Sequence, residues 1–223
     1  MLDIPESIKS LFKSDNTTND TRRHLKLYFY NKDVPLSPSG ELLPIDQEPC
    51  YVIDNKQVLT EALTITESLC ESDDLKFGEC NAAQFEITVA DVLIDLSGKE
   101  FIFTIEVGGY EMAMGIYRVE SFVRLESDRR KKKITAYNRM RRFQTDVTAW
   151  YQGLNFPMTL KSLRDSLCGH IGIEQVDTSL PLDNMLISKT IKPEQLSGLK
   201  VLQAICEING CFGQIDKTGR VKY

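Results

Sequence analysis

The sequence predicts a mainly β protein with an α+β tail half: a closed or partly closed antiparallel barrel, then a small α/β domain. Three observations carry this. Apolar and polar residues alternate with period two through most of the stretch from Val58 to Val123, broken by short turn signals. The strands follow one another without helical crossovers, which favours hairpin-linked pairing over a βαβ sheet. Near residue 144 the apolar spacing changes to the three-and-four repeat of helices.

In chain order, DIPESIKSLF is expected to be a short helix, with Pro5 in its first turn and Ile8, Leu11 and Phe12 on one face. SDNTTNDT is a polar linker. RRHLKLYFY sets Leu25, Leu27 and Phe29 against His24, Lys26, Tyr28 and Tyr30, a half-buried strand. NKDVPLSPSGELLP, with three prolines and a glycine, reads as an excursion from the sheet, spanning residues 31–50. ALTITESL opposes Leu63 and Ile65 to Thr64 and Thr66. AQFEITV opposes Phe85, Ile87 and Val89 to Gln84, Glu86 and Thr88. EFIFTIEV places Phe101, Phe103 and Ile105 on one side, while Ile102 makes its other face only partly polar. After the GGY turn, MAMGIYRVESFVRL is a long strand with Gly115 at a bulge or bend. DRRKKK is expected to turn the chain into a last strand, KITAYNRMRRF.

The second half begins with TDVTAWYQGL, a short helix. In TLKSLRDSLCGHIG, Thr159 is the expected N-cap, Leu160, Leu163 and Leu167 share a face, and Gly169 or Gly172 ends the helix. Two short strands are expected around GIEQV and MLISKTI. LSGLKVLQAICEINGC is the strongest helix, started by Ser197 or Gly198, lined by Leu202, Ile205 and Ile208, and stopped at Asn209-Gly210. CFGQIDKTGRVKY is a hairpin, giving roughly αββαββ. The expected domains are 1–150, β-rich, and 151–223, α+β. Because the chain stops at Tyr223 on a hairpin's return strand, it is expected to continue into a longer protein.

Bulk chemistry narrows the function. Of 223 residues, 42% are apolar and 26% charged, and the net charge of −5 argues against general polyanion binding. No apolar run approaches the roughly 20 residues of a membrane span, and MLDIPESIKSLFKSD lacks the pattern of a secretory signal. Folding in a reducing cytoplasm is therefore expected, with the six cysteines free. The two histidines, His24 and His170, lie in no nucleophile or zinc motif, and His170 suits the C-terminal turn of a helix. VGGYEMAMG has glycines but no Lys-Ser or Lys-Thr after them, so it is a hairpin and not a phosphate loop. One basic block, Arg129 to Lys133 with Arg139, Arg141 and Arg142, would suit DNA. Its place between strands favours a solvated hairpin tip instead. No catalytic, cofactor-binding or metal residue is assigned, and no cofactor.

ITESLCESDDLKFGECNAAQFEI poses a sharper question, since Cys70 and Cys80 bracket Glu71, Asp73, Asp74 and Glu79. Zinc sites favour closely spaced ligand pairs, and neither this pair nor Cys206 and Cys211 has that spacing. Calcium loops place oxygen ligands at alternating positions with a glycine at the turn; Leu75 and Phe77 interrupt the acids here, and no bidentate Glu stands at the twelfth position. A Cys70–Cys80 disulfide is geometrically possible but disfavoured by the compartment. The remaining reading is a corner between strands, with Gly78 permissive, Leu75 and Phe77 tucked beneath, and both cysteines as small core residues.

The order of five stretches resembles the N-terminal region of the tail hub, or tail-associated, proteins of phages and prophages of Gram-positive bacteria. These are IPESIKSLFKSD, LTITESLCESDDLKFGECNAAQFEITV, ITAYNRMRRFQTDVTAWYQGL, FPMTLKSLRDSLCGHIGIE and ICEINGCFGQIDKTGRVKY. The resemblance implies a baseplate-hub fold, with a tail-tube-like barrel followed by a small α/β domain. It implies a virion structural protein at the tail tip, assembled in the host bacterial cytoplasm as a homotrimeric ring. Its partners would be the distal tail protein, the tail tube and the tape-measure protein, with DNA only as passing cargo. Thr64, Thr66 and Thr88 are candidates for faces outside the core. No small-molecule substrate, membrane insertion or enzyme activity is implied for this region. The alternatives are the N-terminal part of a tail-associated peptidoglycan hydrolase, and a DNA-binding module using residues 129–142.

Overall fold

The computed structural model describes residues 5–13, 23–34, 47–70, 76–189 and 193–223. The chain forms two compact units, Met1–Thr64 with Phe85–Ala136, and Ile65–Gln84 with Tyr137–Tyr223. This differs from the single division at residue 150 expected from the change of period. Met140, Phe143 and Val147 are buried in the second unit's core, and Cys80 of the 65–84 insertion joins the same cluster.

In the first unit, helix α1 (Glu6–Lys13) precedes seven strands: β1 (His24–Tyr30), β2 (Tyr51–Asp54), β3 (Val58–Thr66), β4 (Gln84–Ala90), β5 (Glu100–Val107), β6 (Tyr110–Leu125) and β7 (Asp128–Asn138). They form one sheet in the order β2-β1-β5-β6-β7-β4-β3. Antiparallel ladders join β1 to β2 and β5, and β5 to β6. Although β2 and β3 stand at opposite ends of this order, only Asn55 to Gln57 separate them in sequence. Such a link spans about 14 Å at full stretch, so the two edges meet there and the sheet curls nearly shut. The interior agrees: Phe85 of β4 meets Phe101 and Phe103 of β5 at 5.2 and 5.3 Å, with β6 and β7 between them in the sheet.

Period-two alternation fills this interior with Leu27, Phe29, Phe85, Ile87, Val89, Phe101, Phe103 and Ile134, all essentially inaccessible. The outer face carries a smaller cluster of Tyr30, Val34, Ile102 and Ile116. Tyr30, expected on a polar face, is thus buried by its neighbours there. Gly115 lies at a bulge, as expected: Phe103 faces Gly115 and Thr104 faces Ala113, leaving Met114 as the extra residue. A Cβ at Gly115 would come within 2.9 Å of the Tyr117 ring.

Two strand expectations change. DRRKKK belongs to β7 and not to the turn, because β6 and β7 are joined by Glu126 and Ser127 alone. The strand also stops before RMRRFQ, which forms a 3-10 helix (Arg139–Gln144) capped by the Asn138 side chain accepting from the Met140 N–H. At the sheet edge Thr64 and Thr66 are exposed and Thr88 is half-buried. Ile65 is exposed too, against expectation, since an edge strand has a neighbour on one side only.

The second unit contains α2 (Thr148–Gly153), β8 (Met158–Thr159), α3 (Leu160–Ile171), β9 (Leu186–Ile187), α4 (Gly198–Asn209), β10 (Gln214–Ile215) and β11 (Val221–Lys222). From residue 158 the order is βαβαββ, not αββαββ. GIEQV supplies only a parallel bridge, Gln175 to Val221, while β9 pairs with β8. Both main helices carry the expected caps. Thr159 and Ser197 accept from the N–H groups of Ser162 and Lys200, and Gly172 and Gly210 close the helices in the left-handed conformation. Leu160, Leu163, Leu167, Leu202 and Ile205 are buried as expected, but Ile208 is exposed in the last turn of α4. Replacing Ser197 with Ala should cost about 1 kcal/mol, measurable as a lower urea midpoint.

Candidate functional site

The outer sheet face of the first unit carries the best-organised polar group. Strand alternation directs Lys26 and Tyr28 outward from β1, and antiparallel register brings Thr104 opposite Lys26 and Glu106 opposite Glu111. Tyr28 Oη and Thr104 Oγ1 donate to the same Glu111 oxygen at 2.8 and 2.6 Å, and Lys26 Nζ donates to Glu106 at 2.7 Å. Hydrogen bonding in the Lys26–Glu106 pair raises the lysine pKa and lowers that of the carboxylate. Burial first, then the Glu111 bond, pushes Tyr28 up to about 12. Beside this group, Arg23, His24, Asn55 and Lys56 line a cleft of 510 Å³.

Because the folded pKa of Tyr28 lies above its unfolded value, its contribution to stability is complete below pH 10 and declines as pH rises towards 12. Because burial also raises Tyr30 and Tyr223, a tyrosinate absorbance titration compared with that of Tyr28→Phe should isolate the late phase of Tyr28. Glu111→Gln should bring that phase down while leaving it above 10, since burial is the larger cause. An unchanged phase would remove Glu111 from the account.

Within each unit, much of the basic stretch is engaged by neighbouring groups. Lys133 pairs with Glu86 at 2.8 Å and Lys131 with Asp128 at 3.6 Å. Lys132 donates to the Val92 carbonyl at 2.7 Å and lies 4.4 Å from the centroid of the Phe122 ring. In the second unit, Arg139 is buried and Arg141 covers the Tyr137 ring. Much of the positive charge is therefore balanced or packed within its own unit, which weakens the footprint a DNA groove needs.

The cysteine-bracketed stretch is resolved differently from expectation. Glu71 to Leu75 lie outside the described residues. Phe77 is not tucked under a corner; it is half exposed, its ring 5.3 Å from that of Phe212. Cys70 is only partly buried, so slow thiol labelling is expected at buried Cys80 and not at Cys70. Gly78 has φ +91° and packs so closely on α4 that a Cβ would lie 2.8 Å from Cβ of Glu207. All six cysteines are free, and Cys80 meets Cys206, 126 positions away, at 3.8 Å.

Among the described residues, neither histidine enters a catalytic arrangement of hydrogen bonds. His24 lies 3.4 Å from the Asn55 amide, and the His170 ring stacks on Trp150 at 5.5 Å. Among the described residues no group of three or more His, Cys, Asp or Glu is placed to hold a metal ion. No described helix is long and apolar enough to cross a membrane. Sequence reading missed Glu111 and the Cys80–Cys206 contact. Glu111 shows no local signal because its partners lie across the sheet, and the two cysteines become neighbours only through the insertion of residues 65–84.

A nearly closed antiparallel barrel joined to a small α/β unit defines the class of fold. No family model and no curated protein sequence matches the chain. Among solved structures, the chain is similar to the 43 kDa tail protein of prophage MuSo2 from Shewanella oneidensis, with a TM-score of 0.52 and 13% identity. That match covers 89% of this chain and 53% of the other, so this chain spans about half the length of that tail protein. A tail protein from Neisseria meningitidis MC58 matches at a TM-score of 0.43 and 14% identity, over 63% of this chain and 41% of that one. The likeness to the MuSo2 tail protein is one of fold.

Proposed function

We propose that the chain is a structural part of a phage or prophage tail, in which three copies form a hub ring at the tail tip that joins the tail tube to the distal tail and lets DNA pass. The observation that carries this reading is the barrel-plus-α/β fold shared with the MuSo2 tail protein along most of the chain. Fold likeness is an argument by analogy, and the physical features are compatible with it. Beyond the 55–57 link, where the terminal strands meet, the far end of β3 carries exposed Thr64, Ile65 and Thr66 at an edge that can pair with a neighbour in a closed cyclic assembly. The net charge of −5 and the paired lysines of β7 suit a surface that DNA passes without sticking.

Under this reading the region does no chemistry, its partners are other tail proteins, and its host is a Gram-positive bacterium. Sedimentation across a concentration series, with electron microscopy of the largest species, tests the assembly. A threefold ring is expected, whereas a chain that stays monomeric at high concentration and joins no tail protein sinks the proposal. Incubation with purified peptidoglycan should release no fragments; reproducible cleavage would transfer the assignment to a hydrolase.

A further inference from the structure

We propose that Cys80 and Cys206 are a redox pair that closes to a disulfide when a hydroperoxide reaches it, stapling the segment around residue 80 to the end of α4. The two thiols are buried at 2% and 0% exposure, and their sulfurs are 3.8 Å apart. A disulfide requires about 2.05 Å, so the sulfurs must approach by less than 2 Å. The flanking backbone is already docked: the Gly78 N–H donates to the Cys211 carbonyl at 2.9 Å, and the Gly213 N–H to the Glu79 carbonyl at 3.2 Å.

Gly213 makes room for the pair. A Cβ at this position would lie 2.6 Å from the Cys80 sulfur and 3.2 Å from that of Cys206, so a side chain would displace one of them. Two further thiols of this unit make other contacts, although Cys211 also reaches the Cys206 side chain. Cys211 donates to the Cys206 carbonyl at 3.5 Å, and the Cys168 sulfur lies 3.8 Å from the Tyr223 hydroxyl.

The chemistry balances. The Cys80 sulfur lies 3.8 Å from that of Cys206 and 3.4 Å from the Gly78 carbonyl; contact with Cys206 lowers the Cys80 pKa, burial opposes this and the Gly213 N–H adds to it, while the Cys206 thiol is pushed up. The Cys80 thiolate attacks the distal oxygen of the hydroperoxide, breaking the O–O bond. A sulfenic acid forms, and the alkoxide leaves as alcohol with the proton that Cys80 released. Cys206 then attacks the sulfenic sulfur, and hydroxide departs with the Cys206 proton as water. Two thiols and one hydroperoxide thus give one disulfide, one alcohol and one water, with two electrons passing from sulfur to oxygen. This inference is independent of the tail assignment.

The test exposes the reduced full chain to hydrogen peroxide, removes the excess with catalase, then unfolds and alkylates the protein before peptide mass mapping. A linked peptide pair containing Cys80 and Cys206, reversed by a reductant, is the expected product. Because the bond closes a loop of more than 100 residues, the melting temperature should rise by at least about 5 °C. Cys211→Ser should leave the link intact, and Cys206→Ser should leave Cys80 as a sulfenic acid that dimedone traps. If Cys80 and Cys206 remain alkylatable after exposed Cys50 has been oxidised, or if either links to another cysteine instead, the proposal is overturned.

Discussion

Replacing Arg164 with Ala is expected to destabilise the second unit by about 3–5 kcal/mol, lowering the urea midpoint read from the emission of Trp150, the chain's single tryptophan. Arg164 projects from α3 with its side chain inaccessible to solvent. Its guanidinium donates to the Asp177 carbonyl at 3.2 Å, the Thr178 carbonyl at 3.4 Å and the Asp183 carboxylate at 3.0 Å. It also lies 5.2 Å from the centroid of the Tyr223 ring. Asp183 in turn accepts from the Leu180 N–H at 2.8 Å, so one ion pair fastens the irregular stretch from residue 177 to 183 onto a helix.

Most of the expected loss comes from what the substitution strands. With arginine gone, two carbonyls lose this donor and a buried carboxylate keeps the Leu180 N–H but loses its countercharge, and stranding such groups costs more than the intact pair contributes. The pair is itself imperfect, since Arg164 Nε and Asp183 Oδ1 make no hydrogen bond. Arg164→Met combined with Asp183→Leu should therefore cost less than Arg164→Ala alone. Arg164→Lys should not restore stability, because a single ammonium cannot reach all three acceptors with the planar fork of arginine. A double variant as unstable as the single one would show that packing, not stranded charge, sets the cost.

Local chemistry made parts of the second unit legible in sequence. Thr159, Ser197, Gly172 and Gly210 act where they stand, because a cap depends on a few adjacent residues. Arg164 also left a readable signal: it is four residues after Leu160 and three before Leu167, inside the apolar stripe of its helix. A cation at that position calls for a buried partner, but Asp183 is separated from it by irregular chain. The strand within MLISKTI and the hairpin of β10 and β11 were legible, whereas β8 was not, since pairing selects a two-residue strand and its composition does not. Ile208 misled because helical period continues to the end of α4, whereas the packing against its last turn does not. The candidate surfaces were less legible than the fold. Charge pairing across β4 and β7 turns a basic run into separate contacts, and only the sheet register reveals it.

Phe85→Ala should cost the first unit about 3–5 kcal/mol, read from the far-ultraviolet dichroism of its β structure during denaturation. Phe85 is fully buried, with ring centroids of Phe101, Phe103 and Tyr117 at 5.2, 5.3 and 5.1 Å. Removing the ring deletes its own transfer energy and leaves a cavity between rigid aromatic walls that collapse only in part. The neighbours matter as much as the size. Phe101 and Phe103 belong to β5 and Tyr117 to β6, neither of which is hydrogen-bonded to β4. In a flat sheet of the same strand order Phe85 would meet residues of β3 and β7, and these ring contacts across the interior would not exist. Leu93 provides the contrast: it is 92% exposed in the same unit, and its replacement by Ala should change stability by no more than about 0.5 kcal/mol. Double-mutant cycles pairing Phe85→Ala with Phe101→Ala or Phe103→Ala should give coupling of about 0.5–1.5 kcal/mol per ring pair. Independent losses at Phe85 and Phe103 would mean that the sheet does not close around its aromatic interior.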